Sequence, residues 1–412
     1  MTQDTSQPVP QSKRLETLDI LRGFALLGIL LANTGNYSLY QMQPSGIKAR
    51  FPYTKINEFL DAFHYGFIDG KFYAIFSLLF GIGFSLIFFQ KESGGRLSLF
   101  YRRLFFLLII GLVHALLIWE GDILVFYALV GALLPLFRNM APRKLILVAG
   151  LLMISPMLFD GIKVATSGRF TPGKTFETLA FANDDQSGIT GKNYYRWVLD
   201  NDSYANLTQW NRSGFYYLWY LRIESNRIPK VLAMFILGLA VGKLRIFERF
   251  DEYRRRLFKL MIGGLIIGIP AALARIYLEN DKTRLPDPGG LLDTFAYLIN
   301  VVSLSLAYSI AIVLIYHRYK PKLLRWLQPV GRMALTNYIM QSVISVGIYY
   351  GIGLGMGAQF GPAIYMPIAF GIFILQIIYS KIWLSYFNFG PAEWVWRQLT
   401  YRKRLKLRKV AV

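Results

Sequence analysis

The chain has 412 residues, 54% hydrophobic and 16% aromatic, with only 17% charged and no cysteine. Soluble domains run at about 25% charged residues, yet 46 Lys and Arg against 24 Asp and Glu leave a net charge of +22 here. The apolar content excludes disorder, and the absence of Cys excludes disulfides, thiolate metal sites and a Cys nucleophile. The basic excess then reads either as a nucleic-acid surface or as the short loops on one side of a bilayer.

A membrane-spanning helix needs about 20 mostly apolar residues. In chain order such stretches fall at 18–36, 67–90, 103–120, 122–139 and 144–162, and again at 229–247, 257–278, 291–316, 331–354 and 363–388. The prediction is an all-α, polytopic integral membrane protein of about ten spans. Its divisions are a five-helix half over 1–162, an extracytoplasmic excursion with short amphipathic pieces over 163–228, a second five-helix half over 229–401 and a basic tail over 402–412. Glu120-Gly121-Asp122 is the whole connection between the third and fourth spans, a tight hairpin. Residues 1–17 are polar, and Asp19 and Arg22 interrupt the apolar stretch that follows, so the start reads as a signal anchor.

Alternate connections are basic. They hold Lys13/Arg14, Lys91/Arg96/Arg102/Arg103, Arg138/Arg143/Lys144, the six from Lys243 to Arg256, Arg318/Lys320/Lys322/Arg325, and the tail. The intervening set holds only Lys48/Arg50/Lys55 and Lys282/Arg284. Ten spans with both termini cytoplasmic put every basic-rich loop on one side. The positive excess then records orientation and contact with anionic lipid, and no nucleic-acid partner is expected.

Ionisable groups inside spans are costly and mark candidate sites. Asp19, Arg22 and Asn33 share one face of the first span, because three and eleven residues are close to whole helical turns. They line a cavity, or form an interfacial pair with Asn33 as interhelical glue. In the third span His114 precedes the hairpin, and Gly121 lets Asp122 and Tyr127 of the fourth return beside it. A histidine next to a carboxylate is the arrangement of a general base; the structural alternative is a histidine bonded to a carbonyl. The ninth span opens Gly331-Arg332-Met333-Ala334-Leu335-Thr336-Asn337-Tyr338, then Gln341. Arg332 suits an anionic group such as phosphate, or serves only the positive-inside bias, while Thr336, Asn337 and Gln341 make adjacent faces polar. Lys71, before Phe72 and the aromatic-rich second span, is a candidate partner on the outer side. His64 and His317 read as interfacial, Gly264 and Gly268 as a helix-packing pair. Three scattered histidines argue against a catalytic zinc, and no serine nucleophile elbow is present.

Leu18-Asp19-Ile20-Leu21-Arg22-Gly23, Phe76-Ser77-Leu78-Leu79-Phe80-Gly81, Gly111 through His114 and Gly121-Asp122 to Tyr127, Gly331 to Tyr338, and Gly390-Pro391-Ala392-Glu393-Trp394 resemble, in order, motifs of the YeiB-like family of bacterial membrane proteins and its C-terminal domain of unknown function. That family is thought to be related to the transmembrane acyltransferases. The resemblance implies a multi-pass protein of the bacterial plasma membrane. It would move an acyl group from a cytoplasmic acyl-CoA-type donor, with no bound cofactor, to a hydroxyl or amine of a small-molecule or glycan acceptor outside. The related heparan enzyme places its catalytic histidine shortly after the first span, whereas Asn33 to Arg50 contains none, so His114 with Asp122 takes that role. Asp19, Arg22, Asn33, Lys71, Tyr127, Arg332, Thr336, Asn337 and Gln341 are then the substrate-binding set. The same residues also fit a transporter of a small polar or anionic solute, and a homo-oligomer is compatible with either reading.

Overall fold

The computed structural model of the protein describes residues 16–88, 96–191, 193–280 and 285–409. Lys13, Arg14, Lys91, Lys282 and Arg284 of the expected loops lie outside the described residues, as do residues 410–412 of the tail. The first half of the chain runs α1 (Glu16–Tyr37), α2 (Ser45–Lys48), α3 (Thr54–Phe63), α4 (Lys71–Phe88), α5 (Arg96–Leu117), α6 (Leu124–Gly131) and α7 (Pro142–Ala165). The middle holds α8 (Lys174–Ser187), α9 (Tyr194–Asp200) and α10 (Tyr204–Glu224). The second half holds α11 (Arg227–Lys243), α12 (Phe250–Asn280), α13 (Gly290–Tyr319), α14 (Lys322–Arg332), α15 (Ala334–Tyr349), α16 (Pro362–Tyr386) and α17 (Pro391–Tyr401). Among the described residues the only β pairing is an isolated bridge between Phe387 and Arg408.

The fold is all-α and built for a bilayer. Among the described residues seven helical runs are long and apolar enough to cross: α1, the run Thr54–Phe88 (α3 joined to α4), α5, α7, α12, α13 and α16. An eighth results if α10 and α11, bent by 73° at Ser225-Asn226, form one broken span. Each of the ten expected segments holds a helix, but three are short. The fourth is α6 plus a 3-10 turn at Leu134–Phe137, the sixth is α11 with 17 residues, and the ninth is α15 with 16. Helices packed inside a bundle are held by neighbours and can be shorter than those that face lipid. The outer helices show the complementary pattern, with Leu147, Leu151, Ile154 and Leu158 of α7 and Ile266 and Leu273 of α12 all exposed.

The two halves follow one another in the chain but interleave in space. α1 packs against α14, α15 and α16 of the second half, and α4 packs along α11. The α4–α11 approach is close at Gly81 and Gly238. A Cβ on Gly81 would lie 1.9 Å from the Phe235 carbonyl oxygen, and one on Gly238 would lie 2.1 Å from that of Leu78. Small residues let helix backbones touch where no hydrophobic effect drives association. The α12–α13 pair uses the expected Gly264 and Gly268, which face Ser303 and Leu304.

The segment 163–228 is helical and docked. α10 packs on α8, α5 and α11, so it covers the α5–α6 hairpin. The basic tail turns back at the opposite end, where the N–H of Asn388 bonds the Leu407 carbonyl at 2.8 Å and that of Lys409 bonds Tyr386 at 2.9 Å.

Candidate active site

The site is built at the α5–α6 hairpin. The Asp122 N–H bonds the Glu120 carbonyl at 2.8 Å, closing the reversal. A Cβ on Gly121 would sit 2.0 Å from the Trp119 ring, so glycine is needed there to let the indole fold over the turn. Asp122 Oδ2 accepts the Val125 N–H at 2.7 Å and satisfies the first turn of α6, as a capping side chain does. Asp122 Oδ1 faces His114 Nδ1 at 3.1 Å. On the other side of the ring, His114 Nε2 lies 2.8 Å from Ser342 Oγ of α15. Ser342 Oγ in turn lies 2.8 Å from the Tyr37 hydroxyl at the end of α1.

Asp122, His114, Ser342 and Tyr37 are each at most 1% exposed. Their partners dictate the protons. With Nδ1–H toward the carboxylate, Nε2 accepts the Ser342 hydroxyl proton, and Ser342 Oγ accepts that of Tyr37. The His114–Asp122 pair meets the distance of a hydrogen bond without its angle.

Neighbouring groups hold this line of residues. The Tyr338 ring packs 5.0 Å from the His114 ring, and its hydroxyl accepts the Ile123 N–H at 3.0 Å. Arg222 of α10 donates from Nη2 to the Asp122 carbonyl oxygen. Glu120, also buried, accepts from Trp210 Nε1 at 3.3 Å and from the Tyr350 hydroxyl at 3.4 Å. Burial of this turn residue pushes its carboxyl up to about 7.

α15 is anchored at its start. Glu393 Oε1 accepts the N–H groups of Leu335 (2.6 Å) and Thr336 (3.1 Å), and Oε2 accepts the Thr336 hydroxyl at 2.6 Å. The motif beginning at Gly390 therefore caps the helix that carries Ser342. Further along, Asn337 Nδ2 donates to Ser380 Oγ at 3.0 Å and to the Val330 carbonyl at 3.1 Å. Gln341 Nε2 donates to Gln376 Oε1 at 2.9 Å and to the Leu26 carbonyl at 3.2 Å. Thr336, Asn337 and Gln341 thus bond to the protein itself and tie α15 to α16, α17 and α1.

Of the expected site residues, the structure brings His114 and Asp122 together. Asp19 and Arg22 pair at 2.6 Å near the opposite end of α1, where a Cβ on Gly331 would lie 1.8 Å from the Asp19 carbonyl oxygen. The half-buried Arg332 follows that contact. Asn33 is half-buried, one turn before Tyr37. Tyr127 turns away from His114 and bonds Ser77 Oγ at 2.7 Å and the Tyr73 carbonyl at 2.8 Å. Lys71 is fully buried and donates to the Tyr65 carbonyl at 3.5 Å. His64 lies 3.3 Å from the Ala32 carbonyl, and His317 stacks on Phe250 with ring centroids 3.9 Å apart.

Sequence reasoning missed Ser342, Tyr37, Tyr338, Arg222 and Glu120. Ser342 follows Tyr338 by one helical turn, a spacing that puts the two hydroxyls on one face, but no motif set it apart from the chain's other serines.

The chain is similar over nearly its whole length to proteins of several bacteria. It is 32% identical over 404 residues to uncharacterized protein YxaH of Bacillus subtilis, covering 96% of each chain. It is 29% identical to uncharacterized protein YeiB of Escherichia coli, over 95% of this chain and 97% of that one. It is 26% identical to an uncharacterized 39.9 kDa protein in the amylase 3′ region of Bacillus acidopullulyticus, over 97% of each. Residues 241–403 match the profile of a protein family of unknown function, DUF418. That segment contains Ser342 and Glu393; His114 and Asp122 precede it.

Proposed function

The chain belongs to the YeiB-like family of multi-pass membrane proteins that carry the DUF418 domain, and from that premise we propose that it is a membrane-bound acyltransferase working through Ser342. The observation that carries this reading is the buried line Asp122–His114–Ser342, with contacts of 3.1 and 2.8 Å. A hydroxyl, an imidazole and a carboxylate in that order form the general arrangement for nucleophilic acyl transfer, recognised by geometry and not by position in the sequence.

In the proposed reaction a thioester of the acyl-CoA type, delivered from the cytoplasmic side of the plasma membrane, meets Ser342. Oγ attacks the carbonyl carbon while its proton moves to His114 Nε2. The C–S bond breaks, the imidazolium gives its proton to the leaving thiolate, and the acyl group is left as a serine ester. A hydroxyl or amine of a small-molecule or glycan acceptor then attacks that ester, its proton passing to His114 and on to Ser342 Oγ as the serine leaves. Asp122 fixes the ring and supports its charge. Tyr37 bonds the serine oxygen through both steps.

The test is CoA release. Purified protein given radiolabelled acetyl-CoA and cell-envelope acceptors releases free CoA and transfers the label. Ser342→Ala and His114→Ala each lower turnover by about 100- to 10,000-fold while unchanged thermal midpoints report intact folds. Full turnover in both variants overturns the assignment. Solute accumulation in proteoliposomes without CoA release replaces it with the transport reading.

A further inference from the structure

A second buried polar cluster lies at the hairpin end of the bundle, where α4, α11 and α13 begin and α7 and α12 finish. The Tyr65 carbonyl accepts from Lys71 Nζ at 3.5 Å and from Arg275 Nη1 at 3.0 Å. Arg275 also lies over the Tyr297 ring, 4.7 Å from its centroid, and Lys230 Nζ lies 4.4 Å from the same centroid. The Tyr297 hydroxyl meets that of Tyr73 at 2.8 Å, and the Arg227 guanidinium lies 4.5 Å from the Tyr73 ring centroid. Three cations are thus gathered around two touching tyrosines, and Lys71 joins Arg275 at the Tyr65 carbonyl.

The nearby carboxylates are already paired, two of them with Arg275 of this cluster. Arg275 meets Asp293 at 3.3 Å and Asp69 at 3.9 Å, and Lys163 meets Glu224 at 3.0 Å and Asp160 at 3.6 Å. Lys71, Arg227 and Lys230 form no ion pair with a described carboxylate, although Lys71 is 0% and Lys230 9% exposed. Aromatic faces attract a cation, but buried cations that outnumber the carboxylates beside them are disfavoured. An anion with several acceptor oxygens resolves that conflict.

Lys230, Tyr73 and Tyr297 also share the lining of a narrow cleft with Met153, Met234, Leu298 and Val301. Met153 belongs to α7, whose exposed face carries Leu151 and Ile154. Met153 thus sits beside residues that face lipid tails.

We propose that this cluster binds the phosphate group of an amphiphile, with Lys71, Arg227 and Lys230 holding the phosphate oxygens, Tyr73 and Tyr297 donating hydroxyls, and the apolar portion lying along Met153, Met234 and Leu298. Phosphate fits better than a carboxylate because its three-dimensional set of oxygens can take donors from three directions. The proposal stands independently of the chemistry at Ser342. The shared ligand chemistry is a phosphate ester, from a membrane lipid or from a soluble molecule.

Native mass spectrometry of the purified full chain separates the sources. Phosphatidylglycerol is titrated against diacylglycerol, which lacks the phosphate, and against inorganic phosphate. One saturable phosphatidylglycerol per chain, weakened about ten- to hundredfold by Lys230→Gln and restored by Lys230→Arg, with no saturable diacylglycerol, supports a lipid. Saturable inorganic phosphate with the same dependence on Lys230, and no gain for the lipid, supports a soluble phosphate. If Lys230→Gln does not fold, by its thermal midpoint without ligand, Arg227→Gln is read in the same way. Phosphatidylglycerol binding equal to wild type in a folded variant, or equal binding of diacylglycerol, overturns the proposal.

Discussion

Asp122 divides its two carboxylate oxygens between two neighbours. Oδ2 secures the first turn of α6 and Oδ1 faces His114, so the residue that sets the ring also sets the helix beside it. This pairing was legible in the sequence because His114 and Asp122 are eight residues apart across a glycine turn. Ser342 was not legible, since 228 residues separate it from His114 and only the packing of α15 on α1 and the hairpin brings it there. Glu120 gives the prediction at this scale. Its carboxyl is raised by burial from an ordinary 4.5 to about 7. Between those values the unfolded chain loses the proton and the folded chain keeps it. The contribution of Glu120 to stability is therefore fully present below about pH 4.5, declines as pH rises, and is lost above about pH 7. Thermal midpoints of the detergent-solubilised protein at pH 5 and pH 8 differ more for wild type than for Glu120→Gln; equal differences refute this account.

At the scale of elements, the apolar stretches announced where helices lie but not how long they are. α6 gives way to a 3-10 turn at Leu134-Pro135, and α15 carries polar side chains that the sequence presents as site candidates and the structure uses as joints. Asn337 and Gln341 show why: buried amides must be bonded, and here the bonds run to α16, α14 and α1. The capping of α15 by Glu393 crosses 57 residues, beyond any local capping pattern. Glu393→Ala leaves the Leu335 and Thr336 N–H groups without this acceptor and costs about 1–3 kcal/mol. A lower thermal midpoint, together with reduced CoA release as Ser342 loses its fixed place, is the expected outcome. A midpoint equal to wild type rejects the role of the cap.

For the whole molecule, hydropathy disclosed a polytopic all-α fold but not its interior. Lys71, Lys230 and Arg275 are buried in the bundle, where loop counting has no means of seeing them, because a cation near a span end looks the same from the sequence whether it faces water or a tyrosine ring. The alternation of basic loops still makes a directional prediction. A fluorescent protein fused after Val412 is fluorescent and protected from external protease, and an alkaline phosphatase fused after Ser187 is active, as expected if the tail is cytoplasmic and the α8–α10 segment is external. The reverse result inverts the orientation argued from Lys and Arg.

The shortness of α6 has a consequence for what covers the site. Its eight helical residues and the four of the 3-10 turn rise about 20 Å in all, against an apolar layer of about 30 Å. Beside the hairpin the helical span thus falls about a third short of that layer, and α10 fills the difference: Tyr204, Trp210 and Asn211 bond to Leu117, Glu120 and Leu116. Above Asp122 and His114 the membrane surface is therefore built from this chain's own middle segment in place of lipid headgroups.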